Sequence, residues 1–169
     1  DWVVGGLVGD NQGSVSDSYA TGNVSGESQL GGLVGSNYSA TISNSYATGS
    51  VGGNYNVGGL VGYTDSISTI TNSYATGNVT GGDYVGGLVG ISYASITGSS
   101  ATSSSTTYAS GNVTATGDRT GGLVGYAESG SISNVYASGV VSGSYYVGGL
   151  IGYLWDITVS NSTADNSVS

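Results

Sequence analysis

Gly5-Gly6-Leu7-Val8-Gly9 is the stretch whose reading decides the fold. It returns at 31–35, 58–62, 86–90 and 121–125, and again at 148–152 with Ile151 in place of Val. Self-similarity at a fixed period is the signature of stacked repeat architectures, so it takes precedence over any single residue. The unit is about 27 residues, too short to bury an apolar face of its own, and a core must therefore be shared between neighbouring units.

A companion motif follows each pentapeptide. Val15-Ser-Asp-Ser-Tyr19-Ala-Thr-Gly-Asn-Val24 recurs around Tyr46, Tyr74, Tyr108 and Tyr136, and in altered form at 159–168, where Thr163 replaces Tyr and Asn166 replaces Gly. The runs are short, β-branched and aromatic, and they are separated by Gly, Asn and Asp, which reads as strand and turn. This much Gly would cost a helix about 1 kcal/mol per residue. Three strands per repeat are expected: one on Leu-Val, one on Ile-Ser-Asn-Ser-Tyr-Ala and one on Asn-Val-Ser/Thr. The fold class that follows is all-β, a β-solenoid (β-helix) of about six coils with one repeat per coil, equivalent residues stacking about 4.8 Å apart.

Such a stack predicts ladders. Leu7, Leu33, Leu60, Leu88, Leu123 and Leu150 form one, with the neighbouring Val column beside it. Tyr19, Tyr46, Tyr74, Tyr108 and Tyr136 form another, followed by an Ala column from Ala20 to Ala164, where only a small side chain would fit. A polar ladder holds Asp17, Asn44, Asn72, Asn134 and Asn161, with Thr106 standing in for the fourth repeat; stacked amides can hydrogen-bond along such a column. Strand alternation leaves one question open. Leu and Val are adjacent, so either the Gly-Gly pair makes a bulge or turn that resets the parity, or one of the two faces outward. The whole chain, 1–169, reads as a single β-solenoid domain, and the surplus of the fourth repeat is placed in an insertion loop at about 93–107.

The recurring Gly-Leu-Val/Ile-Gly core with its Tyr-Ala-Thr/Ser-Gly companion resembles the GLUG-motif repeat of large bacterial surface proteins, among them haemagglutinin-like adhesins and the non-catalytic regions of IgA-specific metallopeptidases. The resemblance covers essentially the whole chain. It implies a secreted or surface-displayed β-solenoid without catalysis of its own, and it fixes architecture better than purpose.

Composition narrows the function. The chain has 33 Gly and 14 Tyr, no Pro, Cys, Met, His or Phe, a single basic side chain (Arg119) and a formal net charge of −9. Nucleic-acid binding needs Lys and Arg to displace counterions, so it is set aside along with anionic membrane surfaces. No apolar run is long enough for a transmembrane helix, and no membrane insertion is expected. Nucleophile–base catalysis has no His, Cys or Lys to work with, so the chain is read as non-enzymatic. The composition, rich in Ser, Thr, Gly, Asn and Tyr and almost free of basic residues, suits extracellular surface material.

Several residues are candidates for chemistry. Asp83, Asp118 and Glu128 lie beside pentapeptides and offer oxygen ligands to Ca²⁺, although the first reading is of solvated loop acids and no cofactor is required. Asn23, Asn78 and Asn112 open N-x-Ser/Thr sequons in one register, candidates for glycosylation. Solenoids expose strand edges at their ends, and here the phasing of the first and last repeats is such that a second copy would continue the pattern. The expected function is therefore a structural one, with subunits stacking head-to-tail as a homopolymer into a surface filament or stalk through Trp2, Val3, Trp155 and Val168. The alternative is an adhesin that binds glycans or a host surface through its side loops.

Overall fold

Each pentapeptide occupies a tight corner at which the chain reverses from one sheet into the next. In the computed structural model, which describes residues 2–169, the third coil shows the plan. Tyr55–Gly58 enters the first sheet, Val61–Thr64 the second, Thr69–Thr71 the third, and Tyr74–Ala75 and Val79–Gly81 the fourth. Every coil repeats this path, so the molecule is a β-solenoid of six coils without helices among the described residues. Three sheets have six strands each, and all the pairings are parallel, between consecutive coils. Register is strict: Val57 pairs with Leu30 and Val85, Ile70 with Ile42 and Ile96, and Tyr74 with Tyr46 and Tyr108.

There are five strands per coil where the sequence suggested three. The expected Ile-Ser-Asn-Ser-Tyr-Ala strand is split because its central residue takes the left-handed conformation. Asp17, Asn44, Asn72, Asn134 and Asn161 have φ between 44° and 55°, a region that Asn and Asp tolerate better than most residues. The chain turns a corner there and passes from the third sheet to the fourth. The fifth strand is the run before the pentapeptide. In coil five, Tyr136–Ser142 runs unbroken, joining the two columns of the fourth sheet, and Thr163–Val168 pairs along its length.

The parity question resolves in favour of a turn. The amides of Leu33 and Val34 both donate to the single carbonyl of Leu60, each at 3.0 Å. Leu60 and Val61 do the same to Leu88, and Leu88 and Val89 to Leu123. The register is one-to-one on both sides, Gly31 with Gly58 and Val34 with Val61, so the chain bends between two sheets at Gly32-Leu33, the alternation is reset there, and Leu33, Val34, Leu60 and Val61 are all fully buried.

The interior has two lobes. The larger holds the Leu and Val of the pentapeptides with Ile42, Ile70, Ile96 and Ile132. The smaller holds Leu30, Val57 and Val85 against Val51, Val79, Val113 and Val141. The waist between them is the second glycine of the pentapeptide. A Cβ on Gly59 would lie 2.1 Å from the carbonyl oxygen of Gly87 and 2.9 Å from Ala75 Cβ. This close approach explains the Ala column. The insertion is shorter than expected from sequence: Ser95–Thr97 remains a paired strand, so the surplus residues leave at Gly98 and return at Thr107, whose Oγ1 donates to the Thr97 carbonyl at 2.8 Å.

Candidate functional site

Three features carry the side chains with chemistry, and the first two follow from corner geometry. The first is the tyrosine column. Tyr19, Tyr46, Tyr74 and Tyr108 stack in sequence with centroids 5.1, 4.9 and 4.7 Å apart and planes within 6°. Tyr136 leaves this stack and donates its hydroxyl to Asp165 at 3.1 Å. Beside it runs the amide ladder: Asn44 Nδ2 donates to Asp17 Oδ1 (3.2 Å), Asn72 Nδ2 to Asn44 Oδ1 (3.4 Å), and Thr106 Oγ1 to Asn72 Oδ1 (2.8 Å). Thr106 thus takes the amide's place in the inserted coil. Between the two columns lies an open groove of about 530 Å³, one wall of which is Ser105 and Thr106 from the insertion. Asn72→Ala is expected to cost about 2 kcal/mol, from left-handed strain and a lost ladder hydrogen bond. Asn72→Gly should recover the strain component; chemical denaturation of the two variants separates the terms.

A serine column behind the tyrosines has no counterpart among the sequence expectations. Ser45, Ser73, Thr107 and Ser162 accept a backbone amide from the preceding coil while donating to a carbonyl of their own coil. The recurring Ser before Tyr-Ala was the available signal. These hydroxyls stabilise the corner that lifts the tyrosines outward.

The second feature is the seam where the first and second sheets meet. The second residue of the first-sheet strand in coils two to six is left-handed: Gln29, Asn56, Tyr84, Arg119 and Tyr146, with φ from 49° to 61°. Arg119 sits at the centre of a tyrosine cluster. Its guanidinium carbon lies 5.0, 5.2, 5.7 and 5.7 Å from the rings of Tyr84, Tyr153, Tyr126 and Tyr146. One Nη donates to Tyr84 Oη at 3.3 Å, and the Asp118 carboxylate is 3.9 Å away, a half-exposed pair that contributes little. Arg119→Met keeps the stem but removes the charge; it should lose roughly 2 kcal/mol, as expected for a partly desolvated cation–π arrangement, measured by urea titration.

Tyr126 donates to Glu128, and this bond, followed by burial, raises its hydroxyl well above the ordinary value. Burial raises Tyr63, Tyr74, Tyr93 and Tyr108 as well, with neighbouring tyrosines adding to the effect. A raised pKa means that the neutral form is favoured by folding. The associated stability is complete below the ordinary value of 10.0 and is lost as pH climbs through the folded-state values. Alkaline unfolding should therefore begin only above that point, and Glu128→Gln should move the Tyr126 titration down, as read by ultraviolet difference absorbance.

The sequence candidates for metal do not converge. Asp83 and Asp118 lie in consecutive coils of one column, where Asp83 Oδ1 accepts the Asp118 amide at 2.7 Å. Glu128 lies in the second sheet, paired with Trp155. No group of three acidic side chains placed to hold a metal ion occurs among the described residues. The sequon asparagines are exposed and structurally engaged: Asn23, Asn78 and Asn112 each accept, through Oδ1, a backbone amide of the next coil at 2.9–3.0 Å. Their Nδ2 atoms, where a glycan would be attached, make no hydrogen bond among the described residues.

The third feature is the pair of end coils. Trp2 is 76% exposed, Trp155 57%, Leu7 49%, Val168 49% and Val3 41%, whereas the inner Leu residues are fully buried. The two Trp residues lie in different columns. Trp2 stands in line with Ser28, two positions before the Val4–Leu30 pair, and Trp155 with Glu128.

The repeat unit that builds all three features is also recognised by comparison. The GLUG motif matches residues 1–25, 26–52, 53–80, 81–108, 116–142 and 143–169. The chain belongs to the GLUG-repeat family. A search of curated proteins returns no match. Each GLUG unit corresponds to one coil, and 109–115, between two matched units, holds the end of the lengthened fourth coil.

Proposed function

We propose that this GLUG-repeat chain is an extracellular structural element, a non-enzymatic rod that grows by docking coil six of one copy onto coil one of the next. The observation that carries this reading is the chemical match between coil six and coil one, which are copies of one repeat unit. Strand edges and half-exposed core residues, Leu7 at one end and Leu150 and Ile151 at the other, repeat the chemistry of the interfaces inside the stack. Continuing the register would set Ile151 over Val8, Ala164 over Ala20 and Val168 over Val24 of the next copy. The paired amides of Leu150 and Ile151 would then meet the Leu7 carbonyl, as Leu123 and Val124 meet Leu150 within the chain. Such a contact is heterologous and does not close, so it propagates as a filament. Trp2 would lie over Tyr145 and Trp155 over Gln12, so both Trp residues enter the joint, in separate columns.

Negative-stain microscopy with light scattering tests this. Fibres with an axial repeat near 29 Å, six coils at about 4.8 Å, are expected. Leu7→Lys, which places a charge at the joint, should abolish them while leaving the circular dichroism of the monomer unchanged. Discrete monomers at high concentration would refute the proposal.

A further inference from the structure

We propose that the groove between the tyrosine stack and the amide ladder binds a neutral, linear oligosaccharide laid parallel to the solenoid axis. The proposal does not depend on end-to-end assembly. Four observations carry it. First, the groove is an open trough of about 530 Å³, and the insertion, which interrupts the repeat, supplies one of its walls through Ser105 and Thr106. The insertion is held in place there, with Ser105 Oγ donating to the Asn134 carbonyl at 2.7 Å and Thr106 Oγ1 to Asn72 at 2.8 Å.

Second, the lining carries no charged side chain; it consists of aromatic rings, amides and hydroxyls. On a chain of net charge −9 with its one Arg held at the opposite seam, nothing compensates an anionic ligand. The Tyr74 and Tyr108 hydroxyls, which burial raises further above the ordinary 10.0, are neutral donors there. A neutral ligand is the one whose charge fits.

Third, the hydroxyls of Tyr46, Tyr74 and Tyr108 make no hydrogen bond among the described residues, in contrast to those of Tyr126 and Tyr136. The amides of Asn44 and Asn72 are joined through single hydrogen bonds and each keeps a second N–H free. The groove is therefore edged by donors and acceptors that lack protein partners, which suits a ligand bearing many hydroxyls. Apolar ring surface framed by a few oriented polar groups is the usual make-up of a small-molecule site.

Fourth, three consecutive coils present the same elements at 4.9 and 4.7 Å spacing. A site with translational repetition reads a ligand with translational repetition. An extended peptide rises about 3.3 Å per residue and falls out of step, whereas a pyranose unit is about as long as one coil is tall. A linear glycan can therefore make equivalent contacts to successive coils.

The test is isothermal titration of the full chain with two panels of probes: neutral cello-, xylo-, manno- and chito-oligosaccharides, and acidic oligogalacturonates. The expected result is binding by at least one neutral series, with affinity rising up to about three units and no binding of the acidic series. Tyr74→Phe keeps the ring stack and removes one hydroxyl; it should weaken binding by about tenfold, the worth of one net hydrogen bond. Excising 98–105, which joins Thr97 to Thr106 in the register of Thr71 and Asn72, should remove the Ser105 part of the wall and abolish binding, and circular dichroism reports whether the stack persists. Tyr63→Phe, on the second-sheet side, should change nothing. Failure of every neutral series at millimolar concentration, equal or tighter binding of the acidic series, or an unchanged affinity in Tyr74→Phe would each overturn the proposal. Capture of extended peptides in place of sugars would do the same.

Discussion

Gly59→Ala should prevent the stack from folding through its third coil. The added methyl would sit 2.1 Å from the Gly87 carbonyl oxygen and 2.9 Å from Ala75 Cβ. Neither neighbour can swing aside: the first is backbone held by the coil-to-coil ladder, and the second is a side chain with no rotamer. Relief would require the waist to open, separating the two lobes of core at that level and breaking register with coils two and four. Overpacking usually costs about 1–3 kcal/mol; here the clash is with backbone on one side and core on the other, so a loss above about 4 kcal/mol is expected, in the range reserved for a small set of drastic mechanisms. Gly13→Ala is the matched control, since its Cβ would meet nothing within 4 Å. Thermal unfolding followed by circular dichroism should show Gly13→Ala indistinguishable from the parent and Gly59→Ala without a cooperative transition. Equal behaviour of the two would refute the waist.

Leu88→Ala is the second large effect. Leu88 is fully buried in coil four and lies between Leu60 and Leu123, to which the corner hydrogen bonds connect it. Truncating a buried Leu to Ala costs about 2–5 kcal/mol, the upper end applying where the surroundings cannot collapse. A ladder of backbone hydrogen bonds above and below keeps this site from collapsing, so about 4 kcal/mol is expected by denaturant titration. Leu7→Ala makes the same chemical change in the end coil, where the side chain is already 49% exposed, and should cost less than about 1.5 kcal/mol in the isolated monomer. If filaments form, the cost of Leu7→Ala should rise toward that of Leu88→Ala, because docking would bury it.

Much of this was legible in the sequence because a solenoid writes its contacts at a fixed period. Leu33, Leu60, Leu88 and Leu123 are chemically identical and equally spaced, and so are Tyr46, Tyr74 and Tyr108; stacking them requires only the repeat length. The GLUG resemblance rests on the same residues, and the family match confirms it. The seam column was illegible for the opposite reason. Gln29, Asn56, Tyr84, Arg119 and Tyr146 share no side-chain chemistry; what they share is a positive φ, a backbone property that only the corner imposes. The tyrosine cluster around Arg119 therefore brings together residues from three consecutive coils with no motif to announce it. The two-lobed core was hidden as well, because Gly59 and Ala75 read as turn and spacer until the chain is seen to bring them together. The splitting of the Ile-to-Ala run follows from a single left-handed Asn, which a pattern of β-branched residues does not reveal.

The single arginine has a consequence for durability. Proteases that cut after Lys or Arg meet one candidate bond in 169 residues, the one following Arg119. That residue lies within the strand Asp118–Gly121, paired to neighbours on both sides, with its side chain clamped among four tyrosine rings. A protease needs an extended, detached segment in its cleft, and cleavage here requires the fifth coil to open first. The chain therefore presents trypsin-like enzymes with almost nothing to cut while it is folded, and its lifetime among them is set by how often the stack opens at its fifth coil.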